Sequence, residues 1–441
     1  MLQWFFPRAP LEPVEKAWVE TRMQWIAEQL GASRLLNAKV VVPTPEFFAD
    51  CTAGTPEAAG SLMARLGGLM GLDPRNLNLE VCCEEHVPEV VGVHDAEVIR
   101  VARQQLADPP ALAATLVHAL GYRVLPHVGN TASNERDREW IVDLLSVFLG
   151  LGVFIANASV HASLSEAVSH CWCSLRKQPY LPARMLGYAM ALFTFARGET
   201  SPHWTDSLRL DALAAFRHGQ TYLRRTADSL FTADSARQPP RAKTLDELLA
   251  LLRTGSPSAR VAALWELRDP AHARDAVEIV TQRLHDRHEA IRAEAARTLA
   301  VYGPAAGIAV PTLVDLLEDA KFSVRCAAAA ALGTLGMDAR NVVPQLAILL
   351  DDADREVVRY AALAVKQFAD QAIPAVPHVL GAVRSAMIRC DHALLDTLLA
   401  TLYALDPDPT QRILEFFAED PELREQAVHL IVDSLDENNL A

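Results

Sequence analysis

The sequence predicts a mostly α-helical protein, in which a helix-rich α+β domain precedes a right-handed α-α superhelix of helical hairpins. Three observations support this prediction. The second half of the chain repeats at a step of about 33 residues, the first 230 residues show no such period, and a polar segment containing Pro239-Pro240 separates the two halves. We therefore expect a first domain at residues 1–231, a linker at 232–243 and a repeat array at 244–441.

One register of the repeat is set by prolines. Three similar segments, Ala-Val-Pro-Thr-Leu-Val, Val-Val-Pro-Gln-Leu-Ala and Ala-Val-Pro-His-Val-Leu, contain Pro311, Pro344 and Pro377 at a spacing of 33 residues. Proline is tolerated in the first turn of a helix, where its missing N–H is not needed. Each of these prolines therefore predicts the start of the first helix of a hairpin.

A second register is set by arginines, each of which opens an alanine-rich run. The arginines follow one another at steps of 32, 33 and 34 residues, and they are Arg260, Arg292, Arg325 and Arg359. An aspartate precedes three of them by six or seven residues, at Asp286, Asp319 and Asp352. We expect each aspartate to cap the second helix of its hairpin and to face an arginine of an adjacent hairpin. The alanines would let neighbouring helices approach closely and form one continuous core.

This pattern resembles HEAT repeats, and specifically the short bacterial HEAT-like type found in phycobilin lyases. The resemblance covers about residues 244–405. It implies a right-handed solenoid with an extended surface for a protein or peptide partner. Residues 411–419 and 422–435 are predicted to form two further helices that depart from the repeat, as a terminal capping unit should.

The first domain is predicted to be mixed, with a small sheet before a helical bulk. Hydrophobic periodicity predicts a helix at Glu15–Leu30 and further helices at 109–124, 137–157, 181–197 and 203–225. Strand-like segments lie at 39–42, 76–83 and 97–101. Residues 141–158 contain Asp143 as their single charged residue, so a membrane span is the alternative to a buried helix there. A spanning helix needs about 20 apolar residues, and a buried helix is the favoured interpretation.

One segment of the first domain carries a candidate catalytic motif, Leu116-Val-His-Ala-Leu-Gly-Tyr122. It resembles the His-Glu-x-x-His helix of the gluzincin zinc metallopeptidases, in which two histidines bind the metal and the glutamate activates a water. The resemblance extends to Glu139-Trp-Ile-Val-Asp143, which matches the third ligand and the aspartate four residues after it.

The motif departs from the family at two positions. Ala119 replaces the general base and Tyr122 replaces the second histidine, so only His118 and Glu139 occupy ligand positions. Zinc sites use three or four protein ligands, and a general base contributes roughly 10²–10⁴ in rate. We expect a degenerate peptidase-like domain with no catalytic residues, no metal and no cofactor. Two alternatives are a hydrogen-bonded structural histidine and a divergent metal-dependent hydrolase that uses His118 and Glu139.

Charge and cysteine content bear on partners and location. Residues 244–441 hold 18 basic and 30 acidic residues, and 12 of those acids lie in residues 391–441. Such a surface repels phosphate, so no nucleic-acid partner is expected. The acidic end could instead keep a solenoid soluble or occupy a basic site on a target, as an immunity protein does.

Seven scattered cysteines and a start without a signal-peptide pattern predict a cytoplasmic protein without membrane attachment.

Two other chemical patterns are weak. Cys171 and Cys173 lack a second ligand pair and are expected to pack. The single His288-Glu289 pair does not recur through the repeats, which argues against the di-iron site of deoxyhypusine hydroxylase. The leading hypothesis is therefore a non-catalytic scaffold. Its second helices, which bear Glu294, Arg297, Arg359 and Lys366, would line or adjoin the binding surface.

Overall fold

The computed structural model describes residues 8–51, 54–82, 98–128, 135–165, 181–232, 234, 237, 242–335, 339–406 and 408–428. The chain forms two compact units, Met1–Ala242 and Lys243–Ala441. Cys171 and Cys173 lie outside the described residues, as does most of the predicted linker after residue 232.

The first unit is mostly helical. In the described part of this unit, two parallel strands pair, β1 (Asn78–Cys82) and β2 (Val98–Ala102), with Asn78 opposite Val98 and Cys82 opposite Ala102. The described helices of this unit are α1 (Pro13–Leu30), α2 (Ala32–Leu36), α3 (Pro56–Met70), α4 (Pro109–Val128), α5 (Glu135–Phe148), α6 (Gly152–Ser165), α7 (Ala183–Arg197) and α8 (Leu210–Thr226). Two of the three predicted strands are therefore confirmed, and the predicted helix at 203–225 begins instead as a 3-10 turn at His203–Ser207.

The predicted strand at Lys39–Val42 is wrong. This segment has no regular structure, and its Val41 N–H donates to the carbonyl of Gly150 at 3.0 Å. Proline cannot donate to a strand ladder, and Pro43 follows the segment directly. The valine run is therefore an extended connection that contacts the turn after α5.

The single helix predicted over 137–157 is also wrong, because the chain breaks between α5 and α6. Gly150 adopts a φ of 84°, and the Leu151 N–H donates to the carbonyl of Ser146 at 2.8 Å, which closes α5 with a Schellman-type turn. A Cβ at Gly150 would lie 2.6 Å from the carbonyl oxygen of Lys39, so only glycine fits this close approach. The described side chains from Ile141 to Ala156 are buried within the protein, which agrees with the favoured interpretation of this stretch.

One helical stretch among the described residues, Glu289–Glu318, is long and apolar enough to cross a membrane by length and composition. It is not one straight α-helix. Gly303 has a φ of 56°, and a 3-10 segment, Gly303–Ala309, separates an α-helix of one hairpin from an α-helix of the next. Its apolar character therefore arises from the alanine-rich hairpins.

The second unit is a series of helical hairpins. Thr244 begins it with a capping box, in which its side chain accepts from the Glu247 N–H and Glu247 accepts from the Thr244 N–H. Its described helices are α9 (Leu245–Thr254), α10 (Pro257–Glu266), α11 (Ala273–Gln282), α12 (Glu289–Tyr302), α13 (Val310–Asp315), α14 (Phe322–Thr334), α15 (Ala339–Ile348), α16 (Arg355–Lys366), α17 (Val376–Ile388), α18 (His392–Leu405) and α19 (Pro409–Phe416). Residues 421–428 are helical as well.

The second helices of the hairpins, α10, α12, α14, α16 and α18, pack side by side in sequence order. Small residues permit this packing. Residues 326–329 and 331–333 of α14 are buried, and a Cβ at Gly333 would lie 2.9 Å from the Cα of Ala364 on α16. The alanine-rich runs therefore do what their composition predicts, since they bring successive helices into close contact and build a continuous core.

Among the described residues, three arginine–aspartate pairs in one register connect successive hairpins. Arg292 donates to both carboxylate oxygens of Asp319 at 2.8 and 3.0 Å, and Arg325 donates to both oxygens of Asp352 at 2.9 Å. Arg260 donates to Asp286 in the same register. Each arginine also donates to a backbone carbonyl near the start of its own helix, at Gly255, Asp286 or Asp319.

Arg359 does not belong to this series. Arg292 and Arg325 each lie six residues after the aspartate of their own hairpin, whereas the sixth residue after Asp352 is the buried Val358. Arg359 therefore points elsewhere, and it binds Glu356 of its own helix.

Two further details correct the prediction. Pro311 and Pro377 lie in the first turn of their helices, but Pro344 lies inside α15, because that helix starts at Ala339 where the neighbouring hairpins have 3-10 turns. The aspartates are not N-caps. Their carboxylates accept from the N–H two residues later, and that later residue (His288, Lys321 or Asp354) is the N-cap.

Candidate functional site

His118 lies at the centre of a buried polar site between α4 and α5. Gly121 brings the two helices together, since a Cβ there would lie 2.6 Å from Cγ1 of Val142. Glu139 and Asp143 are one turn apart on α5, so both side chains face α4. The site is thus assembled by one small residue on α4 and two acids at helical spacing on α5.

Both ring nitrogens of His118 are bound to carboxylates. Nδ1 lies 2.9 Å from Oδ1 of Asp143, and Nε2 lies 2.8 Å from Oε2 of Glu139. The second oxygen of Asp143 accepts the Leu181 N–H at 2.8 Å. Burial alone would lower the pKa of His118, but the hydrogen bonds and charges of Asp143 and Glu139 outweigh it and raise that pKa to about 9. Carboxylates at both ring nitrogens favour the protonated form of His118, because only an imidazolium can donate through both.

The positions that differ from the peptidase motif lie beside this site. Ala119 is buried, and the ring of Tyr122 stands edge-on to the His118 ring with centroids 5.6 Å apart. No group of three histidine, cysteine or acidic side chains suited to a metal occurs among the described residues. An imidazole binds zinc through a free lone pair, and both nitrogens of His118 are engaged with carboxylates. At the motif positions, His118 and Glu139 supply two ligands, whereas a catalytic zinc site uses three.

A second buried charged cluster in the first unit has a structural explanation. Lys16 and Glu20 are buried and form an ion pair at 3.1 Å on α1. Glu20 also accepts from the Tyr188 hydroxyl at 2.6 Å and from the Leu230 N–H at 3.2 Å. These contacts tie α1 to α7 and to the segment after α8, and each charge has a partner.

In the second unit, the solvent-facing side chains of the second helices form what we call the second-helix face. It comprises Trp265, Arg297, Val301, Ala330, Tyr360, Leu363 and Lys366, each of which is half-buried or exposed. The prediction placed Glu294 on this surface as well. Glu294 is instead buried, and it accepts from Trp265, Arg268 and Arg297. Sequence reasoning missed Trp265 and Arg268, although a glutamate inside an alanine-rich run signals that buried partners must exist.

The second unit is a series of packed helical hairpins, and part of it is similar to a known repeat family. Residues 304–366 match the family model for HEAT repeats. No curated protein matches the chain. Among solved structures, the crystal structure of an engineered protein is 15% identical, covers 93% of this chain and 97% of its own, and has a TM-score of 0.34. A match at that TM-score supports no argument about function.

Proposed function

We propose that this protein is a non-catalytic scaffold whose second-helix face binds a protein or peptide partner. The observation that carries the proposal is the uninterrupted packing of α10, α12, α14, α16 and α18, which creates a long surface from parts of five hairpins. Exposed apolar side chains on that face include Val301 and Leu363, and Tyr403 of α18 is exposed as well. Large exposed apolar side chains grouped on one face are typical of interaction sites.

The first unit is, in this proposal, a degenerate peptidase-like domain without activity. The order of a histidine on α4 and two acids on α5 supports common descent with gluzincins. The loss of the base at Ala119 and the saturation of His118 by Glu139 and Asp143 support inactivity. We also propose a cytoplasmic location, with which the free thiols of Cys51, Cys82, Cys326 and Cys390 are consistent.

Site-directed photocross-linking tests the scaffold function. A benzoylphenylalanine at Leu363, which lies on the second-helix face, should cross-link to a specific protein in the source cells. The matched control is Ile348, which is exposed on the first helix α15 and should give no such product. A product at position 348 alone, or at neither position, would contradict the assignment of the face.

The alternative function is a divergent metal-dependent hydrolase, and the proximity of Glu139 to Nε2 of His118 is the observation in its favour. Zinc titration of the purified full chain distinguishes the two functions. We expect no stoichiometric zinc by elemental analysis and no peptidase activity with zinc added. One equivalent of zinc that is lost in His118→Ala would establish the alternative.

A further inference from the structure

Arg268, which follows α10, and Arg297 on α12 share the buried carboxylate of Glu294. Arg297 donates from Nη1 to Oε1 of Glu294 at 2.6 Å, and Arg268 donates to Oε2 of the same side chain. Trp265 donates its indole N–H to Oε2 at 3.0 Å. The carboxylate is 6% exposed, whereas the side chains of Arg268 and Arg297 are 35% and 44% exposed. A buried acid therefore holds two arginines that remain open to solvent.

The cluster has an excess of positive charge and of donors. Two guanidinium groups face one carboxylate, which leaves a net charge of about +1. Burial lowers the pKa of Arg268, and so does repulsion by Arg297. Attraction to Glu294 raises that pKa, but the net shift is downward. The Nε atom of Arg268 is buried and has no hydrogen-bond partner among the described residues. A second anion that contacts the solvent-exposed parts of the two guanidinium groups would balance the excess positive charge.

The repeat itself does not require this cluster. Glu294 lies eight residues after Asp286, and the equivalent position after Asp319 is Ala327. Arg297 lies eleven residues after Asp286, and the equivalent position after Asp319 is Ala330. Alanine at both positions supports the same helix packing, since α12 packs on α14 as α14 packs on α16. The charged residues are therefore a local addition to the fold.

The acids nearest in sequence to the cluster are already engaged. Glu266 is paired with Lys243, and Asp269 accepts the Ala271 N–H that starts a 3-10 turn. The acidic excess of the unit is concentrated further along the chain, because residues 244–390 hold 16 basic and 18 acidic residues. An anionic segment could therefore approach Arg268 and Arg297 without crossing a strongly acidic surface.

We propose that Arg268 and Arg297, with Trp265 beside them, bind a glutamate or aspartate side chain of an acidic segment in a partner protein. The planar forks of the two guanidinium groups suit a carboxylate, and the indole and Val301 offer apolar contact to the neighbouring residues of that segment. This inference rests on the proposed scaffold function and names the partner's chemistry. Nucleic-acid phosphate would use the same donors, so single-stranded DNA is one of the ligands in the test.

Fluorescence anisotropy of the full chain with a labelled peptide of alternating glutamate and leucine tests the site. We expect saturable binding that weakens with salt, and about tenfold or greater loss in Arg268→Glu and in Arg297→Glu. The same peptide with glutamine in place of glutamate should bind at least about tenfold more weakly. Arg297→Lys should fall between wild type and Arg297→Glu, because lysine keeps the charge but not the fork.

The matched control is Arg274→Glu, which makes the same charge change at an exposed position on the first helix α11. It should bind the peptide within about twofold of wild type. Circular dichroism confirms that each variant is folded. Equal losses in Arg274→Glu and Arg297→Glu, equal binding of the glutamine peptide, or preferential binding of single-stranded DNA would each overturn the proposal.

The two proposals can fail separately. A cross-link at Leu363 together with no binding of the glutamate–leucine peptide leaves the scaffold standing and removes the acidic-segment site. Specific binding of the peptide together with no cross-link at Leu363 supports the Arg268–Arg297 site and removes the wider face from the partner contact.

Discussion

Arg325 donates two parallel hydrogen bonds of 2.9 Å to Asp352, which lies 27 residues later in the next hairpin. The same arginine donates to the carbonyl of Asp319 at 2.8 Å, and Asp352 accepts the Asp354 N–H at 2.8 Å. Both side chains are largely buried, at 17% and 14% exposure. The pair therefore joins the starts of two successive second helices, and it repeats between Arg292 and Asp319.

Arg325→Ala should destabilise the repeat unit by about 1–3 kcal/mol, because it leaves a partly buried carboxylate and a backbone carbonyl without their donor. Arg359→Ala is the matched control. Arg359 binds Glu356 within one half-buried turn of its own helix, and an i,i+3 pair of that kind contributes about 0.5 kcal/mol. Urea unfolding followed by circular dichroism measures both. A control as damaging as Arg325→Ala would show that the inter-hairpin pairing is not what stabilises the array.

The His118 site predicts a stability that falls at high pH. The folded pKa of about 9 lies above the value of about 6.5 expected in the unfolded chain. The ion triad therefore contributes fully below pH 6.5 and is lost as the pH rises through about 9, a change on the order of 3 kcal/mol. The free energy of unfolding of wild type and of His118→Gln, measured at pH 6 and pH 10, tests this loss of stability. Parallel losses in the two proteins would contradict the assignment of this effect to His118.

Rebuilding the peptidase motif should fail. In Ala119→Glu with Tyr122→His, a carboxylate would occupy a position that is buried in α4, at a cost of roughly 3–5 kcal/mol if it remains charged and unpaired. We expect a lower melting temperature and no stabilisation by zinc. Ala119→Gln with Tyr122→His is the control for size without charge. A zinc-dependent rise in melting temperature of the glutamate variant would show that a metal site can still form.

The packing of α7 against α8 depends on Gly187. A Cβ there would overlap Cβ of Ala215 and lie 2.8 Å from the backbone nitrogen of Phe216. Gly187→Ala should therefore cost about 1–3 kcal/mol. Gly60 lies on α3, and a methyl group added to it would have no atom within 4 Å, so Gly60→Ala should stabilise by about 0.5–1 kcal/mol. Thermal unfolding of the full chain compares them, and equal effects would contradict the close approach of α7 and α8.

Much of the second unit could be predicted from sequence because its information is local and repeated. Pro311 and Pro377 indicate where the first helices start. The alanine runs indicate which side of a helix is small enough to pack closely. The spacing also predicted that the hairpin aspartates face an arginine of an adjacent hairpin, since a repeat places equivalent residues one hairpin apart. It misplaced Arg359, because a shift of one residue in the register turns a helical side chain by about 100°.

The first unit shows what only the tertiary structure decided. The sequence predicted that His118, Glu139 and Asp143 lie on neighbouring helices. It did not predict that two carboxylates bind both nitrogens of one imidazole. That contact depends on Gly121 and on the Leu181 N–H, which have no periodic signature. Likewise, the sequence determined that Glu294 lies in an alanine-rich helix, whereas tertiary packing buried it between Arg268 and Arg297. Local periodicity specifies helices and their stacking, and long-range contacts between side chains decide the chemistry of the sites.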